Sequence, residues 1–445
     1  MKRNVFKILI PILCAAILLT GCALARTITS TLNGSAGQVV YQSEAAANAP
    51  AADAVTVQAD DFEETTDNTV SQAADAVESS GAFSARDLSA AYDDETITVQ
   101  LTGSGAAADS EKVSIAGSVV TITGAGTYLI SGTLDNGSII VDASKEDKVQ
   151  LVLNGVSVNA DSYAAIYVKQ ADKVFITLAE GTQNTLSNGG GFTQLDENNV
   201  DAVIFAKDDI TFNGTGSLTV TSPAGHGIVG KDEVTITGGV YAITSAKCAV
   251  RANDSIAIAD GTFTLRAGTD GLHAENDEDD TQGNVYIAGG TFTIDANDDA
   301  VHANALLQID NGAFEITGAE GLEGTYIRIN NGDISISATD DGVNATYKST
   351  AYTPAVEING GSLTVVMGEG DTDGVDSNGD IIITGGTVDV TGRSSFDCDG
   401  QATFTGGTII VNGQQVNEIP NQMMGGGMQG GMPGGMPGGG RGWRG

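Results

Sequence analysis

Acidic steps recur through the C-terminal half of this 445-residue chain. They read Thr269-Asp270-Gly271-Leu272-His273-Ala274, Asp298-Asp299-Ala300-Val301-His302-Ala303, Glu320-Gly321-Leu322-Glu323, Asp340-Asp341-Gly342-Val343-Asn344-Ala345 and Asp371-Thr372-Asp373-Gly374-Val375-Asp376. Each places one or two carboxylates just ahead of a small residue and a branched aliphatic one. If these segments stack, the carboxylates form a ladder along one edge, where like charges one layer apart repel. Bound Ca²⁺ relieves such repulsion, because it takes six to eight oxygens from carboxylates, carbonyls and water. The candidate calcium ligands are therefore Asp270, Asp298, Asp299, Glu320, Asp340, Asp341, Asp371, Asp373 and Asp376. The run Glu275-Asn276-Asp277-Glu278-Asp279-Asp280 would add further oxygens. The plainer reading is that these are solvated turn acids, favoured for local backbone bonding. With the acids ionised at neutral pH, the edge is strongly negative and repels an anionic polymer unless a divalent ion intervenes.

Other reactive residue types gather in the same region. The three histidines are His226, His273 and His302, and Cys248 stands where Asp270 and Asp299 stand in later repeats. A transition-metal or catalytic role for His273 and His302 competes with a simpler one as hydrogen-bonded edge residues, which would also suit a sugar hydroxyl. Lys247 and Arg251 flank Cys248; a cation beside a calcium-binding carboxylate is a candidate base for β-elimination of a polyuronate. The competing reading is an ion pair with Asp270 or its neighbours. Tyr347 and Tyr352 are candidate sugar-stacking residues in an insertion, or else members of an exposed loop. Cys248 and Cys398 fall too many repeats apart for a disulfide and are expected to be buried thiols. No Ser/His/Asp set, phosphate-binding loop, dinucleotide fingerprint or Cys-based zinc spacing is present.

These residues need a scaffold that repeats. Glycine accounts for 60 residues, well above ordinary usage. The second residue of successive Gly-Gly, Asp-Gly or Asn-Gly pairs gives Gly239, Gly261, Gly290, Gly312, Gly332, Gly361, Gly386 and Gly407. The spacing is roughly 20 to 29 residues, within the range of solenoid repeats. Three residues before the anchor stand Ile236, Ile258, Ile287, Ile309, Ile329, Ile358, Ile383 and Phe404; two after it stand Tyr241, Phe263, Phe292, Phe314, Ile334, Leu363, Val388 and Ile409. The positions five before and four after are apolar as well. Each flank alternates with period two, so each repeat carries two short strands around a tight corner. A third strand follows at Val250, Leu272, Val301, Leu322, Val343 and Val375. Three strands per repeat predict an all-β, right-handed parallel β-helix. The less regular stretch from Thr96 to Asp232 has the same texture and is expected to form the first coils and the N-terminal cap.

The ends and the charge narrow the setting. Lys2, Arg3 and Lys7, the apolar run Ile8 to Leu19, and Leu19-Thr20-Gly21-Cys22 read as a lipoprotein signal at residues 1–21. Cleavage before Cys22 and lipidation of its sulfur would follow. Residues 22–90 read as an acidic, Ala/Ser/Thr-rich disordered stalk, residues 91–420 as the β-helix domain, and residues 421–445 as a Met/Gly-rich disordered tail. The formal net charge of −37 excludes a phosphate-neutralising nucleic-acid binder and a basic membrane-docking surface. The expectation is a monomer on the extracytoplasmic face of the cell membrane, touching the membrane through the lipid anchor alone.

The same motifs resemble a known family. Gly126-Thr127-Tyr128-Leu129-Ile130-Ser131-Gly132-Thr133-Leu134, Val149-Gln150-Leu151-Val152-Leu153-Asn154-Gly155-Val156, Ala164-Ala165-Ile166-Tyr167-Val168-Lys169, Lys207-Asp208-Asp209-Ile210, the Asp-Gly-Leu-His coils and Asp373-Gly374-Val375-Asp376-Ser377-Asn378-Gly379 carry the resemblance. The stretch from Val119 to Val411 is similar to the clostridial carbohydrate-binding domain-containing proteins, once catalogued as a domain of unknown function. The resemblance implies a polysaccharide-lyase-like right-handed β-helix with bound calcium. It also implies binding of plant-wall polysaccharide such as cellulose or polygalacturonate, with no established lyase activity. Ala246-Lys247-Cys248-Ala249 departs from the acidic pair common before the third strand, which puts a calcium site in that coil in doubt. A binding module is the leading function; a calcium-dependent polysaccharide lyase and a structural adhesin are its competitors.

Overall fold

In the computed structural model, residues 77, 79–92, 95–369 and 372–420 are described, and they are all-β apart from a four-residue helix at Ser79–Ala82. Among the described residues, thirty-six strands form one sheet. Each repeat lays three short strands in parallel on those of the repeat before. Glu233–Ile236, Val240–Ser245 and Val250–Ala252 pair with Ser255–Ile258, Thr262–Ala267 and Leu272–Ala274 respectively. Three parallel ladders result, called first, second and third in that order, and each repeat is one rung.

The apolar columns explain the register. Ile236, Ile258, Ile287, Ile309, Ile329, Ile358, Ile383 and Phe404 pair in succession along the first ladder. A slip of one residue would turn each of these side chains outward. Along the second ladder, Tyr241, Phe263, Phe292 and Phe314 stack inside the core at centroid separations of 5.1, 4.6 and 4.5 Å. All eight anchor glycines take positive φ, between 76° at Gly361 and 146° at Gly261. Only a residue without Cβ adopts that corner freely, and at Gly332 an added Cβ would also sit 3.0 Å from the Gly312 carbonyl oxygen.

Antiparallel segments cover the terminal edges, which would otherwise offer unpaired backbone. Ala106–Ala108 covers Ile97–Gly103, Val113–Ala116 covers Val119–Ile122, and Gln414–Val416 covers Thr408–Val411. The longer rungs carry insertions at one corner, between the third and first ladders, after Ala274 and after Ala345. These insertions meet: Thr350 Oγ1 donates to Asp280 Oδ2 at 2.6 Å, and Ser349 Oγ donates to the Asp280 carbonyl oxygen.

The expected stalk ends earlier than residue 90. From Val77 the described chain runs as a strap over the outer face of the first ladder, across Gln308, Tyr286, Thr211 and Gln150, which belong to one stacked column. Val77 exchanges two 2.9 Å hydrogen bonds with the Gln308 amide, and the Phe83 ring lies 5.9 Å from that of Tyr286. Asp87 is buried; it pairs with Lys173 at 3.0 Å and accepts from Thr211 at 2.7 Å. Its carbonyl takes bonds from Asn213 and Thr237, and Arg86 reaches Gln150 at 2.7 Å. The segment has no strand period because its partners are side chains of the ladder rather than another strand. The signal, Cys22, the rest of the stalk and the tail from residue 421 lie outside the described residues.

Candidate functional site

The outer face of the third ladder carries two adjacent columns. The residue two before each apolar anchor gives His226, Cys248, Asp270, Asp299, Glu320, Asp341, Asp373 and Ser394. The residue one after gives Val229, Arg251, His273, His302, Glu323, Asn344, Asp376 and Asp397. Between them sits a small residue pointing inward. At Gly271, for example, a Cβ would come within 2.6 Å of Ile294, so a larger side chain would force the second ladder outward.

The expected ligands divide into two groups. Oxygens of Asp270, Asp298 and Asp299 lie within 4.8 Å of one another, with Asp270 and Asp299 buried and Asp298 exposed. Among the described residues, Glu320, Asp340, Asp341, Asp373 and Asp376 stack along the face without forming such a three-membered group; Asp371 lies outside the described residues. Instead, Asp341 Oδ1 accepts from the Asp373 backbone N–H at 2.9 Å. Asp277, Glu278, Asp279 and Asp280 do not join the Asp270 group; Asp280 ties the two insertions together.

Burial and mutual repulsion change the charge expected on this face. Glu320 is pushed up to about 8 by burial and by the charges of Glu323 and Asp299. Asp376 rises to about 7 through burial and the charges of Asp341 and Asp373. Asp341 rises to about 6, again mainly through burial. The acids are therefore not uniformly ionised at neutral pH: without a counter-ion, part of the ladder holds protons.

The histidines sit inside carboxylate clusters. His302 Nδ1 contacts Asp299 at 2.9 Å and Glu323 at 2.6 Å. Burial opposes a charge on His302, but these two hydrogen bonds raise it to about 10. His273 Nδ1 stands 2.8 Å from Asp270 Oδ2, its Nε2 is 3.1 Å from Glu275, and its ring stacks on that of His302 at 4.5 Å. Glu275, the first of the insertion acids expected to add oxygens, joins the His273 cluster, and Glu323 belongs to the His302 cluster although the sequence did not single it out as a ligand. Glu323 follows Leu322 as His302 follows Val301, so the column offset was the available signal.

The two candidate bases are each paired. Lys247 Nζ lies 2.6 Å from Asp201, two rungs below it, rather than from the expected Asp270 one rung above, and Arg251 lies 3.5 Å from Glu275. Tyr347 is exposed, whereas the Tyr352 ring packs 6.1 Å from that of Tyr326. On the first-ladder face, Tyr352 lines a cleft of about 570 Å³ with Asp87, Lys173, Glu233 and Tyr286. Cys248 and Cys398 are buried, as expected.

A family model for carbohydrate-binding domain-containing proteins matches residues 116–369 and 322–417, which takes in all of this face. The chain belongs to that family. A relative bearing the same description, from Acetivibrio thermocellus, is 42% identical over 122 residues. That alignment takes in 27% of this chain and 43% of the relative's length, so the chain spans under half of the relative. Among solved structures, a polysaccharide lyase-like protein from C. thermocellum, as its gadolinium derivative, is 30% identical with a TM-score of 0.49. The match covers 59% of this chain and 96% of that one. Among the described residues, no helix is long and apolar enough to cross a membrane.

Proposed function

We propose that this family member is a lipid-anchored cell-surface protein that binds a plant-wall polysaccharide, of the polygalacturonate or cellulose type, and does not cleave it. Its ladders wind as a right-handed parallel β-helix, and calcium occupies the third-ladder face. The observation that carries the reading is the convergence of Asp270, Asp298 and Asp299 beside a column of crowded acids. An oxygen-only group with one exposed carboxylate suits a hard cation. A divalent ion there reverses the local charge and can bridge a protein carboxylate to a uronate. The ion pairs of Lys247 and Arg251 support binding over elimination, because each cation is already matched by a carboxylate.

The test uses purified protein and polygalacturonate with calcium or with chelator. The expected result is retention of polymer in calcium, release in chelator and no accumulation of unsaturated, ultraviolet-absorbing ends. Calcium should also raise the melting temperature, by mass action on a site present only in the folded state. Asp298→Asn with Asp299→Asn should blunt that rise. Polymer retention and melting that are both indifferent to chelator would overturn the calcium mechanism. Product ends that vanish in Lys247→Ala would establish a lyase instead.

A further inference from the structure

The donors around Cys248 differ in kind from the all-oxygen group beside them. All three histidines of the chain fall within four consecutive rungs of the third ladder, and Cys248 takes the place of the acid in that stretch. Cys248 Sγ, an Asp270 carboxylate oxygen and a His273 ring nitrogen lie within 4.8 Å of one another. Sγ is 3.3 Å from Asp270 Oδ2, and His273 Nδ1 is 2.8 Å from the same oxygen. Cys248 and Asp270 are 4% and 6% exposed.

We propose that Cys248, Asp270 and His273 bind a borderline-soft divalent cation of the zinc class, at a site that shares Asp270 with the proposed calcium group but differs from it in its sulfur and nitrogen donors.

Three features support this. The first is the orientation of His273. Its Nε2 faces Glu275 Oε2 at 3.1 Å, so that when a metal displaces the Nδ1 proton the Nε2–H can still donate to this carboxylate. Arg251 backs Glu275 at 3.5 Å. A carboxylate behind a histidine is the usual way that a metal-binding imidazole is held in place. The second is that His273 Nδ1 and Cys248 Sγ both converge on Asp270 Oδ2, at 2.8 and 3.3 Å. A cation at this meeting point would take the place of the protons that now link the three groups. The third is size. Zinc bonds of about 2.0 to 2.3 Å place neighbouring tetrahedral donors about 3.3 to 3.5 Å apart. The sulfur–oxygen separation already fits, and the imidazole needs to move by only about half an ångström.

The donor set also selects the metal. A thiolate and an imidazole favour zinc-like ions, whereas calcium and magnesium take oxygens. Three protein donors leave the fourth position of a tetrahedral ion to water or to an oxygen of a ligand. Binding releases the thiol proton, and the proton held between His273 Nδ1 and Asp270, to solvent as both atoms become ligands. The His302 ring, stacked on His273 and held by Asp299 and Glu323, closes one side of the site.

The test is cobalt and zinc titration of the full-length protein. Co²⁺ should produce a thiolate charge-transfer band in the near ultraviolet at one equivalent, displaced by Zn²⁺ and unaffected by excess Ca²⁺. The band should persist in Cys398→Ser and Cys22→Ser and vanish in Cys248→Ser. Glu275→Gln, which removes only the carboxylate behind the imidazole, should weaken zinc binding about ten- to a hundredfold. Absence of the band from the wild-type protein overturns the site, whatever the folding of the variants. A band that survives in well-folded Cys248→Ser, or depends on Cys22, overturns it as well. The calcium-dependent melting shift should remain in Cys248→Ser, so the failure of this site and of the calcium reading are separately visible.

Discussion

Replacing Glu320 with Gln tests the crowding of the acidic face by pH alone. The Glu320 side chain accepts from Asn344 Nδ2 at 3.1 Å and sits among Glu323, Asp299 and Asp341, and burial with these charges pushes it from 4.5 to about 8. Between those two values the folded protein keeps a proton that the unfolded chain releases. Wild-type stability therefore falls as pH rises through that window, and the contribution of the protonated group is lost above about pH 8. At 1.36 kcal/mol per pH unit the ceiling is about 5 kcal/mol; solvent relaxation around a partly buried group reduces this to about 2 kcal/mol. Gln keeps the acceptor for Asn344 and offers a donor to the buried, unpartnered Asn344 Oδ1. In chelator at pH 8.5, the variant should melt about 4 °C above wild type, at about 2 °C per kcal/mol for a domain of this size. Near pH 5 the two should differ by less than about 1 kcal/mol. Thermal melts followed by circular dichroism give both values. A variant destabilised equally at both pH values would show that Glu320 makes ordinary hydrogen bonds in an uncrowded site, and the reasoning would fail.

Two further changes probe the scaffold. Ile309 is fully buried between Ile287 and Ile329; Ile309→Asp should cost more than about 4 kcal/mol and unfold neighbouring rungs, and a melt matching wild type would contradict the register. Asp87→Ala removes the partner of Lys173, which is only 15% exposed in its side chain; the loss should be about 3 kcal/mol. It should also open residues 79–92 to protease, and an unchanged cleavage pattern would show that the strap is held elsewhere.

The strand register was legible because side chains in a stacked repeat must match their own kind one rung away. Ile236 and Ile258 announce their pairing by position alone, and Gly239 and Gly261 mark the corner. The same column logic placed Asp270, Asp299, Glu320, Asp341 and Asp373 in one line. It did not reveal which of them converge, since that depends on rotamers and on the exposed neighbour Asp298. Nor did it show that Glu320 and Asp376 hold protons, because burial at those points is set by side chains of adjacent rungs. The strap was invisible for a different reason. Ser84, Arg86 and Asp87 have no periodicity of their own, and the ladder side chains that order Arg86 and Asp87, Gln150, Lys173, Thr211 and Asn213, lie 64 or more positions along the sequence.

The path of the strap also decides how the protein meets a mechanical pull. The strap starts with Val77 on Gln308, well along the first ladder, and runs back to Gln150 before the first strand begins at Ile97. Consider a pull on Val77 directed along the ladder. It is shared at once by the Gln308 bonds, the Phe83–Tyr286 contact, the Asp87 cluster and the Arg86–Gln150 bond. These contacts must shear together, whereas a chain leaving directly from the terminal strand would let rungs peel off singly.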